Sequence, residues 1–222
     1  MRGNKRLFLL LGALCAVNLL AHLCFYPALP ETVPIHWGFD GRVNGWGPKW
    51  NVLILAALPA AMLALLYFLP HMDPKRESYQ KFAPIWRGFA IALTLFMAAF
   101  SWLIELAAFG VLPESGNLVG VLVSGGVGVL FIFLGNYMPR IKQNYFFGCR
   151  TPWALADEHN WNRTQRMGGI SFVISGAVLI LLGLLSPLLG EGWTVGLLLA
   201  VTLGDVLWTY LYSFLVFKKI LK

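Results

Sequence analysis

Charge is what this sequence has least of. Only 12% of its 222 residues are Asp, Glu, Lys or Arg, about half the share of an ordinary soluble domain. So few charges cannot cover a water-facing surface of the usual size, which excludes a soluble globular domain as the main architecture. Acidic residues are scarcer than basic ones, 10 against 17. Cysteine is nearly missing: Cys15, Cys24 and Cys149 make an odd number with no histidine clustered beside them, which argues against a disulfide framework or a zinc site. The short motifs of common catalysis are absent too, with no H-E-x-x-H, no phosphate-binding P-loop and no G-x-S-x-G turn. The chain is therefore read as non-enzymatic, with no cofactor and no metal. It also lacks matching halves of the kind that mark an inverted-repeat transporter.

What is present is apolar: 58% of the residues, gathered in long blocks rather than in a 3.6-residue rhythm. Six blocks run approximately over Leu7–Tyr26, Asn51–Pro70, Gly88–Leu112, Leu118–Met138, Ile170–Gly190 and Trp193–Phe217. Each has the roughly 17–25 residues that cross a bilayer core as a helix. A helix apolar on every side finds its solvent in lipid. The fold class expected is all-α, a polytopic protein with six transmembrane helices in the cell membrane. The first block follows a basic Met1–Arg6, as a secretory signal would, but it is too long for a signal's apolar core and no small-residue cleavage site follows. Leu14 and Leu23, before Cys15 and Cys24, do not suit lipoprotein processing. It is read as a retained span.

The basic residues orient the chain. The N-terminus, the second-to-third connection, the fourth-to-fifth connection and the C-terminus hold all of the 17 except Arg42 and Lys49. Basic residues stay on the cytoplasmic side, so both termini are expected inside. The net charge of +7 then reads as anchoring beside anionic lipid, and direct nucleic-acid binding is not expected.

Two connections are substantial. The outer one, Pro27–Trp50, is dense in Pro, Gly and Trp, which predicts turns and short extended pieces lying over the helix ends, with Trp37, Trp46 and Trp50 at the lipid–water boundary. His36 and Asp40 are only two candidate metal ligands, short of the three or four a metal needs. The inner one, Pro139–Gly169, is basic and aromatic. Thr151-Pro152 predicts a helix start, with a short surface-lying helix to about Met167 that ends at Gly168-Gly169. In the fourth span Gly120, Ser124 and Gly128 recur every fourth residue, with Gly125 and Gly126 near the same face; Ser171 and Ser175 do likewise in the fifth. Such small residues allow close helix approach in lipid. Packing within the chain is the expectation, and a homodimer through this face is the other reading.

Two acids lie inside spans, Glu105 in the third and Asp205 in the sixth. An ionised acid at mid-bilayer costs at least about 2.5–3.5 kcal/mol, so each needs a partner, a proton or water. His22 of the first span sits at a depth similar to Glu105 and is its candidate partner. The expectation is a protonated, hydrogen-bonded acid that fixes packing; a proton or ligand site is the alternative. Asn18, Thr94, Thr202 and Thr209 read as interhelical hydrogen-bonding groups.

The inner loop carries a resemblance. Gly135-Asn136-Tyr137-Met138-Pro139, then Asn144 through Gly148-Cys149-Arg150-Thr151-Pro152-Trp153-Ala154-Leu155, then Trp161 through Thr164-Gln165-Arg166-Met167-Gly168-Gly169, resemble the SdpI family of bacterial membrane proteins. The family pattern runs roughly G-N-Y-x-P, N-x-x-x-G-I-R-T-P-W-T-L and W-x-x-T-H-R-x-G-G; this chain departs from it at Cys149, Ala154 and Gln165. The outer loop, from Leu29-Pro30 through Ile35-His36-Trp37 to Gly41 and Gly45-Trp46-Gly47-Pro48-Lys49, is similar to a domain of unknown function that often precedes the SdpI-type half. The resemblance divides the chain into that N-terminal domain over 1–80, a third span and connection over 81–117, and an SdpI-like domain over 118–222. It implies immunity to a secreted, membrane-active peptide toxin, signalling by holding a cytoplasmic winged-helix repressor at the membrane, or both. On that reading His36, Trp37, Asp40, Trp46 and Lys49 are the candidate toxin contacts. Asn144, Arg150, Thr151, Pro152, Trp153, Trp161, Arg163 and Arg166 contact a cytoplasmic partner or shape the loop. A reading from another class is a small proton-coupled transporter or channel that uses Glu105 and Asp205.

Overall fold

The computed structural model describes residues 2–38, 41–113 and 117–221. Six helical segments are long and apolar enough to cross a membrane. The first is α1 (Arg2–Phe25) and the second α2 (Asn51–Met72). After a one-turn helix α3 (Ser78–Lys81), the third span is made of α4 (Ala83–Ser101) and α5 (Leu103–Ala108). The fourth is α6 (Leu118–Tyr137). A loop holding the short α7 (Pro152–Ala156) leads to α8 (Glu158–Leu189), and α9 (Glu191–Phe217) ends the chain. Between α1 and α2 the chain forms an antiparallel hairpin, β1 (Thr32–Trp37) and β2 (Val43–Pro48). An even number of crossings brings the chain back to the side where it started, so the molecule has a hairpin end and a basic end.

Three features differ from the sequence expectation. The third span begins at Ala83, not Gly88, and it is not continuous to Leu112: the helix breaks at Trp102 and ends at Ala108. Gly110 adopts φ +71°, and the amides of Val111 and Leu112 turn back to the Leu106 carbonyl at 2.8 and 3.1 Å, a glycine-capped helix end. The break places Trp102 and Glu105 on a short segment of their own. Second, the helix expected to stop at Gly168-Gly169 runs through them without interruption, to Leu189. These glycines serve contact, not termination. Third, residues 152–167 are not one surface-lying helix: the segment is divided at Asp157 between α7 and the start of α8, and one face is buried, where Trp161 is 0% exposed and its indole N–H donates to the Ile141 carbonyl at 2.8 Å.

The contact between α6 and α8 explains the second difference. A Cβ on Gly128 would stand 2.6 Å from the Gly176 carbonyl, and one on Gly176 would stand 2.5 Å from the Gly128 carbonyl. Seven residues along, Gly135 and Gly169 repeat the reciprocal arrangement at 2.5 and 2.6 Å. Two turns of helix separate the pairs, so the antiparallel backbones touch along one seam. Ser124 faces Gly183 in the same interface. Ser124, Gly126, Gly128 and Gly135 of the fourth span therefore pack within the chain, whereas Gly125 meets nothing within 4 Å. Elsewhere α1, α2 and α4 pack on one another, α4 meets α6, and α9 lies against α8 and α7.

Two apolar cores mark the ends. At the basic end Tyr79, Phe82, Trp86, Met138, Ile141, Ala154 and Trp161 pack with Leu11, Leu63 and Leu66. At the hairpin end Val33 of β1 packs with Leu29, Val52 and Ile104, which sets the hairpin on α5. Gly135→Val should force the two backbones apart at a cost of roughly 1–3 kcal/mol or more, read as a lowered unfolding midpoint in detergent. Gly125→Ala, which meets nothing within 4 Å, should leave the midpoint unchanged.

Candidate functional site

The basic end is organised by buried polar side chains rather than by charge pairs. Asp73 follows α2 directly and is almost fully buried. One carboxylate oxygen accepts from the Lys75 amide at 2.7 Å; the other accepts from the Tyr79 hydroxyl at 3.0 Å and the Tyr145 amide at 2.9 Å. One acid thus ties the second-to-third connection to the fourth-to-fifth. Burial, reinforced by Asp73, raises the Tyr79 phenol above its ordinary range, so it remains a donor. Tyr79 also reaches the Asn144 carbonyl oxygen at 3.2 Å.

Asn144 is fully buried and acts as a small scaffold. Its amide donates to the carbonyls of Lys142 and Phe147, and its oxygen accepts from the amides of Phe146 and Phe147 at 3.0 and 2.7 Å. The side chain supplies the turn with the partners its backbone cannot find in an apolar setting. Gln143 donates to the carbonyls of Ala154 and Leu155 and accepts from the Lys75 ammonium. Gln165 pairs both ways with the backbone of Cys149, accepting its N–H at 3.1 Å and donating to its carbonyl at 2.8 Å. Gly148 adopts φ +99°, and a Cβ there would lie 2.6 Å from the Gln165 oxygen. Glycine is needed on both counts.

Thr151 caps α7 by accepting from the Ala154 amide at 3.1 Å, and its hydroxyl lies 2.5 Å from that of Ser213 on α9. Asn160 completes the link: its amide donates to the Ser213 carbonyl at 2.9 Å, and its oxygen accepts from Ser213 and Thr164 at 2.8 and 2.9 Å. Pro152 is exposed at the first turn of α7. Trp153 is half-buried, its ring 5.2 Å from that of Phe214. The arginines separate into different roles. Arg163 reaches the Leu221 carbonyl and the Tyr212 hydroxyl at 3.4 and 3.5 Å, at the end of the chain. Arg150 is exposed and donates to the Tyr145 carbonyl at 3.0 Å, and Arg166 is exposed.

At the hairpin end, the strands pair Thr32 with Pro48 and Trp37 with Val43, with irregular register around His36. His36 Nδ1 lies 2.5 Å from the Asn44 side-chain oxygen, on the exposed face. Lys49 makes an ion pair with Glu31 at 2.9 Å and lies over the Tyr26 ring. Trp37 is half-buried, whereas Trp46 is 59% exposed. Both line a hollow of about 260 Å³ between the hairpin and the end of the third span, with Pro30, Pro34, Ala108 and Leu112 among its walls. Asp40 lies outside the described residues.

Within the membrane, His22 and Glu105 are hydrogen-bonded, and both are 0% exposed. The other ring nitrogen of His22 lies 3.0 Å from the Ser101 hydroxyl, which itself donates to the Ala98 carbonyl at 2.7 Å. Asn18 donates to Ser101 at 3.3 Å and accepts from the Trp102 indole at 3.0 Å. The Trp102 and His22 rings stack with centroids 4.0 Å apart. Asp205 is bonded elsewhere, to Ser171, in a groove between α8 and α9. The structure does not bring the two acids together. Among the described residues, no group of three His, Cys, Asp or Glu side chains converges as metal ligands would.

Sequence reasoning missed Asp73, Tyr79, Gln143, Asn160, Ser213, Ser101 and Trp102, while Asn18, expected as an interhelical hydrogen-bonding group, bonds to Ser101 and Trp102. One signal was available: Asn18 and His22 are four apart, as are Ser101 and Glu105, which puts a polar pair on one face of each span. Ser213, the partner of Asn160 on α9, lies 53 positions away in the chain, and no local pattern announces it.

Residues 140–213 match the SdpI/YfhL protein family, and residues 13–63 match the Domain of unknown function (DUF1648). The chain is 28% identical over 209 residues to the Immunity protein SdpI of Bacillus subtilis (strain 168), covering 92% of each. No solved structure matches it. Burial pushes the Cys149 thiol up to about 12, with Asp205 adding to the rise. Since the thiolate is the reactive form, Cys149 should resist maleimide at neutral pH in native membranes and react after denaturation. Gln165→Ala, which frees its backbone, should speed the native reaction.

Proposed function

We propose that the chain, a multi-pass protein of a bacterial cell membrane whose residues 140–213 match the SdpI/YfhL protein family, is a non-catalytic immunity protein against a secreted, membrane-active peptide toxin. The observation that carries this reading is similarity to an immunity protein along nearly the whole chain, through both matched regions and the spans between them. The basic end faces the cytoplasm, on the distribution of Lys and Arg, so the hairpin faces outward, where a secreted peptide arrives.

Two properties of the hairpin suit that role. Its Trp46 and Trp50 are more than half exposed, at the boundary where amphipathic rings are comfortable. It rests on α5 through Val33 and Ile104, so it is a supported platform rather than a loose loop. Large aromatic side chains of this kind supply much of the energy at protein interfaces. His36 and Lys49 present polar groups on the same element.

The finer reading is signalling through a cytoplasmic winged-helix repressor. Arg150 and Arg166 are its best contacts, Arg150 exposed on a loop whose backbone is pinned by Asn144 and Gln165, and Arg166 exposed on the adjoining part of α8. Arg163, engaged with the chain's own end, fits it less well.

Survival of a sensitive bacterium expressing the protein tests both parts. Wild type should protect against the cognate peptide. Trp37→Ala with Trp46→Ala should lower the tolerated dose roughly 10- to 100-fold at equal membrane expression. Arg150→Ala with Arg166→Ala should leave protection intact and reduce toxin-dependent derepression of a reporter. No protection by wild type against any peptide challenge would remove the immunity reading.

A further inference from the structure

The His22–Glu105 pair has no part in toxin or repressor contact as argued above, yet its hydrogen bonds determine how many protons it holds. The Ser101 hydroxyl has one hydrogen, and that hydrogen goes to the Ala98 carbonyl. With that hydrogen directed to Ala98, the Ser101 oxygen accepts from His22 in the tautomer that carries a hydrogen on Nε2. The Asn18 amide fills the remaining acceptor position. With Nε2 protonated, the contact between His22 Nδ1 and Glu105 Oε1 is attractive only when one further proton lies between them, whether it is drawn on the imidazole or on the acid. Without that proton, a nitrogen lone pair faces a carboxylate oxygen at a position where both side chains are 0% exposed. The second carboxyl oxygen, Oε2, is buried, and among the described residues no side chain or backbone group hydrogen-bonds to it, so none of them offsets a negative charge there.

We propose that His22 and Glu105 form a binding site for a single proton, and that this proton fastens the hairpin to the first span. The proposal stands independently of the immunity reading. The mechanical path is short. Glu105 belongs to α5, which the break at Trp102 separates from α4. The adjacent Ile104 packs with Val33 of β1, and α5 is the helix on which β1 rests. His22 belongs to α1, whose end leads directly into the hairpin. Release of the proton to solvent turns the link between α1 and α5 from attraction to repulsion, and the broken third span lets α5 move without α4.

Other titratable groups on the packed elements do not share the site. Cys15 and Cys24 lie on α1, and Tyr26 follows it. His36 of β1 is exposed and pairs with Asn44; Lys49 pairs with Glu31 beside Tyr26. Arg42 lies in the hairpin turn, and α2 carries no titratable side chain from Asn51 to Leu66.

The test is amide hydrogen exchange of β1 in lipid nanodiscs between about pH 5 and 9, corrected for intrinsic rates, on wild type, Glu105→Gln and His36→Gln. Glutamine keeps a donor to Nδ1 and cannot lose it. Wild type should lose β1 protection by about tenfold or more as pH rises. Glu105→Gln should stay protected throughout, and His36→Gln should follow wild type. Protection of wild type that does not change with pH would overturn the proposal, as would a pH dependence that survives in Glu105→Gln. Should Glu105→Gln fail to assemble, the infrared bands of the wild-type carboxyl and imidazole groups decide. A protonated-acid or imidazolium band that disappears together with β1 protection supports the proposal. Loss of protection without any change in either band overturns it.

Discussion

The backbone contact between α6 and α8 is the constraint on which the rest of this structure depends. Lipid gives no hydrophobic drive to bring two apolar helices together, so close packing must supply the attraction. Here it comes from two reciprocal glycine pairs, Gly128 with Gly176 and Gly135 with Gly169. Once these helices touch, the chain between them must leave α6 and return to α8 within a narrow space. Its backbone cannot all be satisfied by regular structure. Asn144, Gln143 and Gln165 therefore occupy the interior of the loop as hydrogen-bonding surrogates, and Trp161 closes over Ile141. The same helix then presents Asn160 to Ser213 of α9. Helix contact, loop shape and the docking of the last span are successive consequences of one seam.

How much of this could be read beforehand depends on the kind of force involved. The six spans were legible because hydropathy is a local property of the sequence, and the hairpin's extended pieces were legible from Pro and Gly. Glu105 and His22 were legible as candidate partners because depth in a bilayer is set by position along a span. Gly168-Gly169 was misread because a glycine pair has two meanings. In water it ends a helix, while in lipid it lets another helix approach. Choosing between them requires the facing sequence, here Gly135. The polar network was illegible for a related reason. Thr151, Asn160 and Ser213 meet across more than fifty residues, and a serine in an apolar span looks the same with or without a partner.

The two intramembrane acids show how burial separates similar side chains. Glu105 is enclosed, with His22 as its partner and one oxygen left over. Asp205 is half-buried in a groove beside Ser171. An acid at this depth is costly whenever it is charged, but the consequences differ. Around Asp205 the cost can be relieved by access through the groove. Around Glu105 relief requires either the shared proton or movement of the helix that carries it.

The linkage between the two ends follows from where rigidity lies. The hairpin end rests on α5, a short segment held by one polar pair and a small apolar cluster. The basic end is bound by many hydrogen bonds and an aromatic core that includes residues of α1, α2, α4 and α8. Asp73 and Tyr79 join the second-to-third connection to the fourth-to-fifth loop there. A peptide engaging the hairpin would therefore first disturb the less constrained end. An effect at the basic end can pass along α1, α2 or α4, which lead from the hairpin end into the basic-end core. Leu11 and Cys15 of α1, Leu63 and Leu66 of α2, and Trp86 and Ala90 of α4 are where those helices enter it. A small displacement of any of them would reach the loop through these side chains.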